Sequence, residues 1–431
     1  MYPIASETAS DCCLGARVDS VILTKVSETY FQKGFGLKAA VGPVLAQSYR
    51  SQGVERLKEL GYDATAGDLR VKLAREFGFC YGVDRAVEYA YETRQQFPDN
   101  RIFLCGEIIH NPDVNARLRA KGIIILSDSK DPVSRFLVVD SGDVVILPAF
   151  GLTVGEMEHL RTKGCVLVDT TCGSVLNVWK KVHRSAAEGF TVVIHGKHYH
   201  EETRATASQT FRYGGKYLCL RDVAEAEVIC GFLRGEVSAE TVTAKFADAA
   251  NPGFDPARDL ERIGLANQTT MLMTESLAIQ ELLRSAMRDR YGEAALGYRF
   301  SAFDTICSAT QDRQDAVLSM LAAGDLNVMV VIGGYNSSNT QALAQMCAPR
   351  LPTFHIEAPE CIEDEGIRHR PVRQYAEVVT RNWLPEGPVT LGLTAGASTP
   401  DSVVGDVLDR ILALRGKSAM DLSACHSVST V

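Results

Sequence analysis

Three cysteines occupy one position in a repeated pattern. Cys80 follows the apolar run Val71 to Phe79 in VKLAREFGFCYGVDRAV, Cys172 follows Val166 to Thr171 in VLVDTTCGSVLNVW, and Cys307 follows Phe300 to Ile306 in FSAFDTICSATQDRQDAV. Each reads as a strand end opening into an amphipathic helix. A second run with a polar turn comes about one βαβ length later, at His110, His200 and Asn336, which are 30, 28 and 29 residues beyond their cysteines. A third run ends at Pro148 to Gly151, at Asn267-Gln268-Thr269-Thr270 and at Ala395-Gly396-Ala397-Ser398. Parallel α/β sheets place ligands at the carboxyl ends of their strands, so one thiol and two polar loops per unit are predicted to meet at one sheet edge. Three thiolates on a pseudo-threefold axis suit an iron–sulfur cluster with one iron left open. Zinc held by three cysteines and a histidine is the alternative metal, without the usual short Cys-x-x-Cys spacing; a set of buried helix-start thiols is the alternative without one.

The polar loops add a second chemistry. His195, His198 and His200 fall in VVIHGKHYHEETRATAS directly after a strand, with Glu201 and Glu202 beside them. His195 and His198 fit either a structural or a functional role. His200 with Glu202 is the stronger pair, because it shares the loop position of His110 and Asn336. Imidazoles together with helix N-terminal amides make an anion site. The turns Asn336-Ser337-Ser338-Asn339-Thr340 and Gly396-Ala397-Ser398-Thr399 add hydroxyl and amide donors at helix starts. Helix capping explains any one of them, but not their gathering around one locus. No P-loop, dinucleotide-binding glycine fingerprint, HExxH or GxSxG occurs.

The elements that must position these groups follow from periodicity. Val83, Val87 and Ala90, then Val175, Trp179 and Val182, then Ala309, Ala316, Val317 and Met320 form helical stripes behind the three cysteines. Thr191 to Ile194 and Val328 to Ile332 have the short β-branched look of buried parallel strands. The fold expected is α/β: three pseudo-repeated units, at about 71–165, 166–300 and 301–415, with the stretch from Phe211 to Arg262 inserted in the middle one. Residues 1–70 read as an N-terminal accessory extension with a Gly-rich KGFG at Lys33 to Gly36 and a helix from Val44 to Leu60. From Gly416 to Val431 a Ser-rich polar tail is expected to be disordered.

Composition bounds the class. At 431 residues, 46% hydrophobic and 23% charged, the chain has ordinary cores and room for two to four domains. No apolar stretch approaches the roughly 20 residues of a membrane span. A formal net charge of −8 opposes non-specific nucleic-acid binding. The 12 cysteines lack framework spacing, so most read as thiols of a reducing compartment, with Cys105, Cys165, Cys219, Cys230 and Cys347 in the core and Cys12, Cys13 and Cys425 near the termini. The first 25 residues make a poor signal or transit peptide, which favours a cytoplasmic location over the plastid stroma.

GFCYGVDRAV at Gly78 to Val87, EIIHNPDVN at Glu107 to Asn115, DTTC at Asp169 to Cys172, HYHEETRAT at His198 to Thr206, NQTT at Asn267 to Thr270, DTICSATQDRQ at Asp304 to Gln314, NSSNT at Asn336 to Thr340 and TAGASTPD at Thr394 to Asp401 resemble, in this order, 4-hydroxy-3-methylbut-2-enyl diphosphate reductase. The resemblance covers about residues 30–415. It implies a three-lobed, trefoil α/β fold around one oxygen-sensitive [4Fe–4S] cluster. It implies the last step of the non-mevalonate isoprenoid pathway, in which an allylic hydroxyl is removed reductively to give isopentenyl and dimethylallyl diphosphates. By resemblance, Cys80, Cys172 and Cys307 are the cluster ligands. His110, His200, Ser337, Ser338, Asn339 and Ser398 hold the diphosphate, Glu202 delivers protons, and Thr269 links it to the substrate alcohol. A ferredoxin or flavodoxin is implied as electron donor. Many bacterial members carry a third diphosphate-contacting histidine in an AHG turn; this chain has Ala149-Phe150-Gly151, as in the plant and cyanobacterial branch, and Phe150 has no donor to offer. Two other readings keep the iron–sulfur centre: a quinolinate-synthase-like dehydrating enzyme, and a non-catalytic electron carrier or sensor. His200 with Glu202 and the Asn-Ser-Ser-Asn turn favour the reductase over the first. A carrier needs no convergent anion site and would bind all four irons through protein ligands.

Overall fold

Each strand that leads into one of the three cysteines pairs in one sheet, while the helix that follows packs on the next. The computed structural model describes residues 29–126 and 134–425. A five-stranded parallel sheet runs in the order Tyr30–Phe31, Val166–Asp169, Val144–Leu147, Ile102–Cys105 and Ile123–Leu126. A four-stranded parallel sheet follows the order Phe300–Ala302, Ile263–Asn267, Thr191–His195, Tyr217–Leu220. The six-stranded sheet is parallel through Thr353–Ile356, Val328–Ile332, Val389–Ala395 and Leu69–Leu73, then turns antiparallel through Asp63–Ala66 and Ser423–Ala424.

Sheet membership thus crosses the sequence segments. Val166–Asp169 closes the first sheet, yet the helix after Cys172 packs Val178 and Val182 against Val192 and Ile194 of the second. Phe300–Ala302 edges the second sheet, yet the helix after Cys307 packs Val317 against Met329 and Val331 of the third. Leu69–Leu73 lies within the third sheet, and the helix after Cys80 packs Val83, Val87 and Ala90 against Leu104 and Ile146 of the first. Burying one such aliphatic side chain is worth about 1.5–3 kcal/mol, against about 1 kcal/mol for a helix cap, so the cores fix where each strand and helix goes. The cysteines consequently sit at the three seams between units.

Two expectations change, and one element is new. The helix expected from Val44 to Leu60 is two helices, Lys38–Tyr49 and Gln52–Glu59. Arg50 is extended and Ser51 accepts the Val54 amide, which starts a new helix instead of continuing the old one. The tail expected to be disordered from Gly416 is ordered as far as Cys425, because Ser423–Ala424 extends the third sheet on Asp63–Ala66. An antiparallel sheet of Ile362–Glu363, Gly366–His369 and Val378–Arg381 had no sequence signal. Cys12, Cys13 and the amino-terminal segment judged against transit peptides lie outside the described residues. No helix among the described residues is long and apolar enough to cross a membrane.

Candidate active site

The threefold equivalence read from spacing is written in backbone hydrogen bonds. The Cys80 N–H donates to the Ala397 carbonyl at 3.2 Å, that of Cys172 to Ala149 at 3.0 Å and that of Cys307 to Thr269 at 3.1 Å. Each cysteine is therefore tied to the third-run turn of the sheet it leaves. Each is also the N-cap of its helix, Tyr81–Gln96, Gly173–Ala187 or Ser308–Ala322. The positive end of a helix favours thiolate over thiol. These three are half-buried, whereas Cys105, Cys165, Cys219, Cys230, Cys347 and Cys361 are buried. Cys425 is half-buried too, but it donates to Asp63 at the sheet edge.

The thiols crowd one another. A Cβ placed on Gly82 would lie 2.6 Å from the Cys172 sulfur and 3.9 Å from that of Cys80. Burial pushes the Cys80 thiol up, and the neighbouring Cys172 adds to it while Arg313 opposes it. Burial also pushes Cys307 up to about 11, with Cys80 and Glu202 contributing in the same direction. Cys80 and Cys307, held as thiols by burial, ionise readily onto a metal centre, whose charge inverts that balance. The donor set therefore fits a metal cluster.

The imidazoles form one chain with an assignable direction. His200 caps the helix Glu201–Ser208, its Nδ1 accepting the Glu202 amide at 3.1 Å. Burial first, then the neighbouring His110 and Lys197, holds its pKa well below the usual imidazole range, so it is neutral. Its proton is then on Nε2, which donates to His110 Nε2 at 3.1 Å, and His110 Nδ1 donates to Glu107 at 2.9 Å. The tautomers follow from this network. His110, His200 and Glu201 bring ligand atoms within 4.8 Å of one another, but a protonated His200 Nε2 is a donor to anions rather than a metal ligand. Phe150 stacks on His110 with centroids 4.4 Å apart and meets His200 edge-on at 5.3 Å, so it aligns both rings without donating.

Glu202, in the helix turn that His200 caps, is buried inside the protein. Its two carboxyl oxygens accept from the Thr269 amide at 2.6 Å and the Thr269 hydroxyl at 2.9 Å. Burial outweighs those two bonds and raises its pKa to about 7. Thr269 is also the residue whose carbonyl receives the Cys307 N–H, so acid and thiol are joined through one residue.

The third unit closes the site. Ser337 caps the helix Ser338–Cys347 by accepting the Thr340 amide at 3.3 Å. Ser338 accepts from Gln268 at 3.1 Å, and Asn339 Oδ1 accepts the Ala397 amide at 2.9 Å. The Asn339 Nδ2 is buried with no partner among the described residues. Ser398 donates to the His110 carbonyl at 3.1 Å. The eleven residues to which the resemblance gives roles thus belong to one connected region. His195 is outside it: wholly buried at a strand end, bonded to Ser276, its pKa lowered by burial to about 4. His198 is exposed beside Tyr199.

Three further groups, given no role by the sequence patterns, position the site. Gln268 bonds to Lys197, Thr203, Thr270 and Ser338, joining the second unit to the third. Arg313, 4% exposed, donates to the carbonyls of Gly78 and Ala309, which puts a cation behind the Cys80 loop. Lys197 reaches Gln341 at 2.6 Å. A charged residue on the buried side of the helix after Cys307 was the one available signal, for Arg313.

The family described as LytB protein matches residues 71–412. A 4-hydroxy-3-methylbut-2-enyl diphosphate reductase of Synechococcus sp. is 47% identical over 390 residues, covering 90% of this chain and 94% of that protein. The protein of the same description from Nostoc punctiforme is 46% identical over 399 residues, covering 91% and 97%. The structure described as E-1-hydroxy-2-methyl-but-2-enyl-4-diphosphate reductase from Plasmodium falciparum superimposes with a TM-score of 0.59 at 20% identity, covering 80% of this chain and 88% of that one. That likeness shows the shared α/β fold.

Proposed function

We propose how the site works from the premise that this chain belongs to the LytB protein family and is a 4-hydroxy-3-methylbut-2-enyl diphosphate reductase. The reaction is the last step of the MEP isoprenoid pathway. The allylic C–O bond breaks, two electrons and two protons enter, and water leaves with isopentenyl or dimethylallyl diphosphate. Members of the family are iron–sulfur proteins. Here the half-buried thiols of Cys80, Cys172 and Cys307 would hold one [4Fe–4S] cluster, which supplies Lewis acidity at an iron without a protein ligand and a path for electrons. A ferredoxin or flavodoxin would deliver those electrons, in the cytoplasm or alternatively the plastid stroma.

The chain's own residues divide the remaining work. His110, His200, Ser338, Asn339 and Ser398, with the helix start capped by Ser337, bind the diphosphate and so orient the alcohol end of the substrate. Thr269 positions the hydroxyl, and Glu202, poised near neutrality, gives it the proton that turns a poor leaving group into water. The observation that carries this reading is Thr269 itself, which hydrogen-bonds Glu202 through two atoms and receives the Cys307 N–H on a third.

Titrating the anaerobically reconstituted protein with the diphosphate alcohol while recording the cluster's spectrum tests the reading. A saturable change that inorganic diphosphate competes away is expected. A spectrum indifferent to the substrate would leave only a carrier or sensor.

A further inference from the structure

The diphosphate site holds little positive charge in the groups assigned so far. His200 is neutral, His110 is held between Glu107 and Glu201, and Phe150 contributes a hydrocarbon ring. Glu107, Glu201 and Glu202 all lie within a residue or two of these imidazoles in the chain or touch them. A diphosphate monoester brings about two to three negative charges at neutral pH, which neutral donors alone hold weakly.

Lys197 stands between the two halves of that site. Its backbone is fixed by the Gln268 side chain, which accepts the Lys197 amide at 3.2 Å and donates to Ser338. Its ammonium reaches across the seam to the Gln341 Oε1 at 2.6 Å, in the first turn of the helix that Ser337 caps. The same ammonium is near enough to His200 to help keep that ring neutral. Among the described residues no carboxylate pairs with it, so its resting partner is a neutral amide. Gln341 in turn donates to the Tyr335 carbonyl, a bond independent of Lys197. The unpartnered Asn339 Nδ2 lies two residues from Gln341 and is a second donor without an acceptor.

We propose that Lys197 is a further diphosphate-binding residue, which turns from Gln341 to the substrate's phosphate oxygens and favours diphosphate over monophosphate alcohols. This rests on the diphosphate site assigned above. Burial lowers the Lys197 pKa to about 8, and an arriving anion offsets that effect by favouring the charged ammonium. Lys197 thus supplies charge where Phe150 supplies none.

The test is calorimetric binding of inorganic diphosphate, and separately of orthophosphate, to the anaerobic holoenzyme and four variants. Lys197→Met is expected to weaken diphosphate binding about 10–100-fold, with a smaller loss for orthophosphate and an unchanged cluster spectrum, and Lys197→Arg to restore most of the affinity. Gln341→Leu removes the resting partner and is expected to leave diphosphate binding equal or tighter. If Gln341→Leu weakens binding as much as Lys197→Met, Lys197 is only a tether across the seam and the proposal is overturned. Wild-type affinity in Lys197→Met with a large loss in His110→Ala also overturns it, while the site assignment stands. Wild-type affinity in His110→Ala would bring down the site assignment itself.

Discussion

Glu202 shows how surroundings set the acidity of one side chain. Taking a carboxylate out of water costs several kcal/mol, and the two Thr269 bonds recover only part of it, so the proton is held to about pH 7. The sign of the pH dependence follows: the acid is protonated and competent below about 7, and turnover is predicted to fall as pH rises through that value. A steady-state rate measured from pH 6 to 9 checks this, and a rate rising across the range would contradict it. At the same scale, Cys80→Ser, Cys172→Ser or Cys307→Ser should each strip most of the iron–sulfur chromophore after anaerobic reconstitution. Cys219→Ser, in the core of the second sheet, should keep it. Full iron loading in Cys307→Ser would sink the ligand assignment. The cysteines were legible because one residue type recurs at matched spacing, and His200 with Glu202 because the pair shares the loop position of His110 and Asn336. Gln268, Lys197 and Arg313 were not, because each reaches a partner across a seam, at Ser338, Gln341 and Gly78, and no local pattern encodes contacts so far apart in the chain.

At the level of elements, the cysteine-bearing helix starts matter more than the helices. Gly82, in the first turn after Cys80, leaves the space in which the Cys172 sulfur lies. In a helix alanine is better than glycine by about 1 kcal/mol, so propensity alone predicts that Gly82→Ala stabilises the protein. The contact at 2.6 Å predicts the opposite for the cluster. The expected outcome is an apo-protein melting within a degree or two of wild type that takes up much less iron, measured by thermal denaturation beside iron and sulfide assays. Equal iron uptake would show that the sulfurs have room to move. Strands and helices were legible as types, since alternation and period 3.6 are local. Their partners were less so: Val166–Asp169 and Phe300–Ala302 each join the sheet behind them, a choice made by non-local pairing. The split of the 44–60 helix depended on one serine preferring to cap.

Across the whole molecule, the three units give different things to one locus. The first supplies His110, the second His200, Glu202 and Thr269, the third Ser338, Asn339 and Ser398, and a cysteine stands at every seam. A group bound by all three seams stabilises the folded arrangement by mass action. Loss of the cluster to oxygen or a chelator is therefore predicted to lower the melting temperature and to raise amide exchange at Gly78, Ala149 and Thr269 before the sheet cores exchange. An unchanged melting temperature would mean that the seams hold without it. On the proposed reading this convergence places one acid to protonate the departing hydroxyl, and Glu202→Gln isolates that role, because the amide keeps shape and hydrogen bonding but not acidity. In anaerobic single-turnover measurements on the reduced, reconstituted variant, normal cluster content and near-normal substrate affinity are expected. C–O cleavage should be slower by about two to four orders of magnitude. Cleavage at the wild-type rate would show that water or another residue carries the proton.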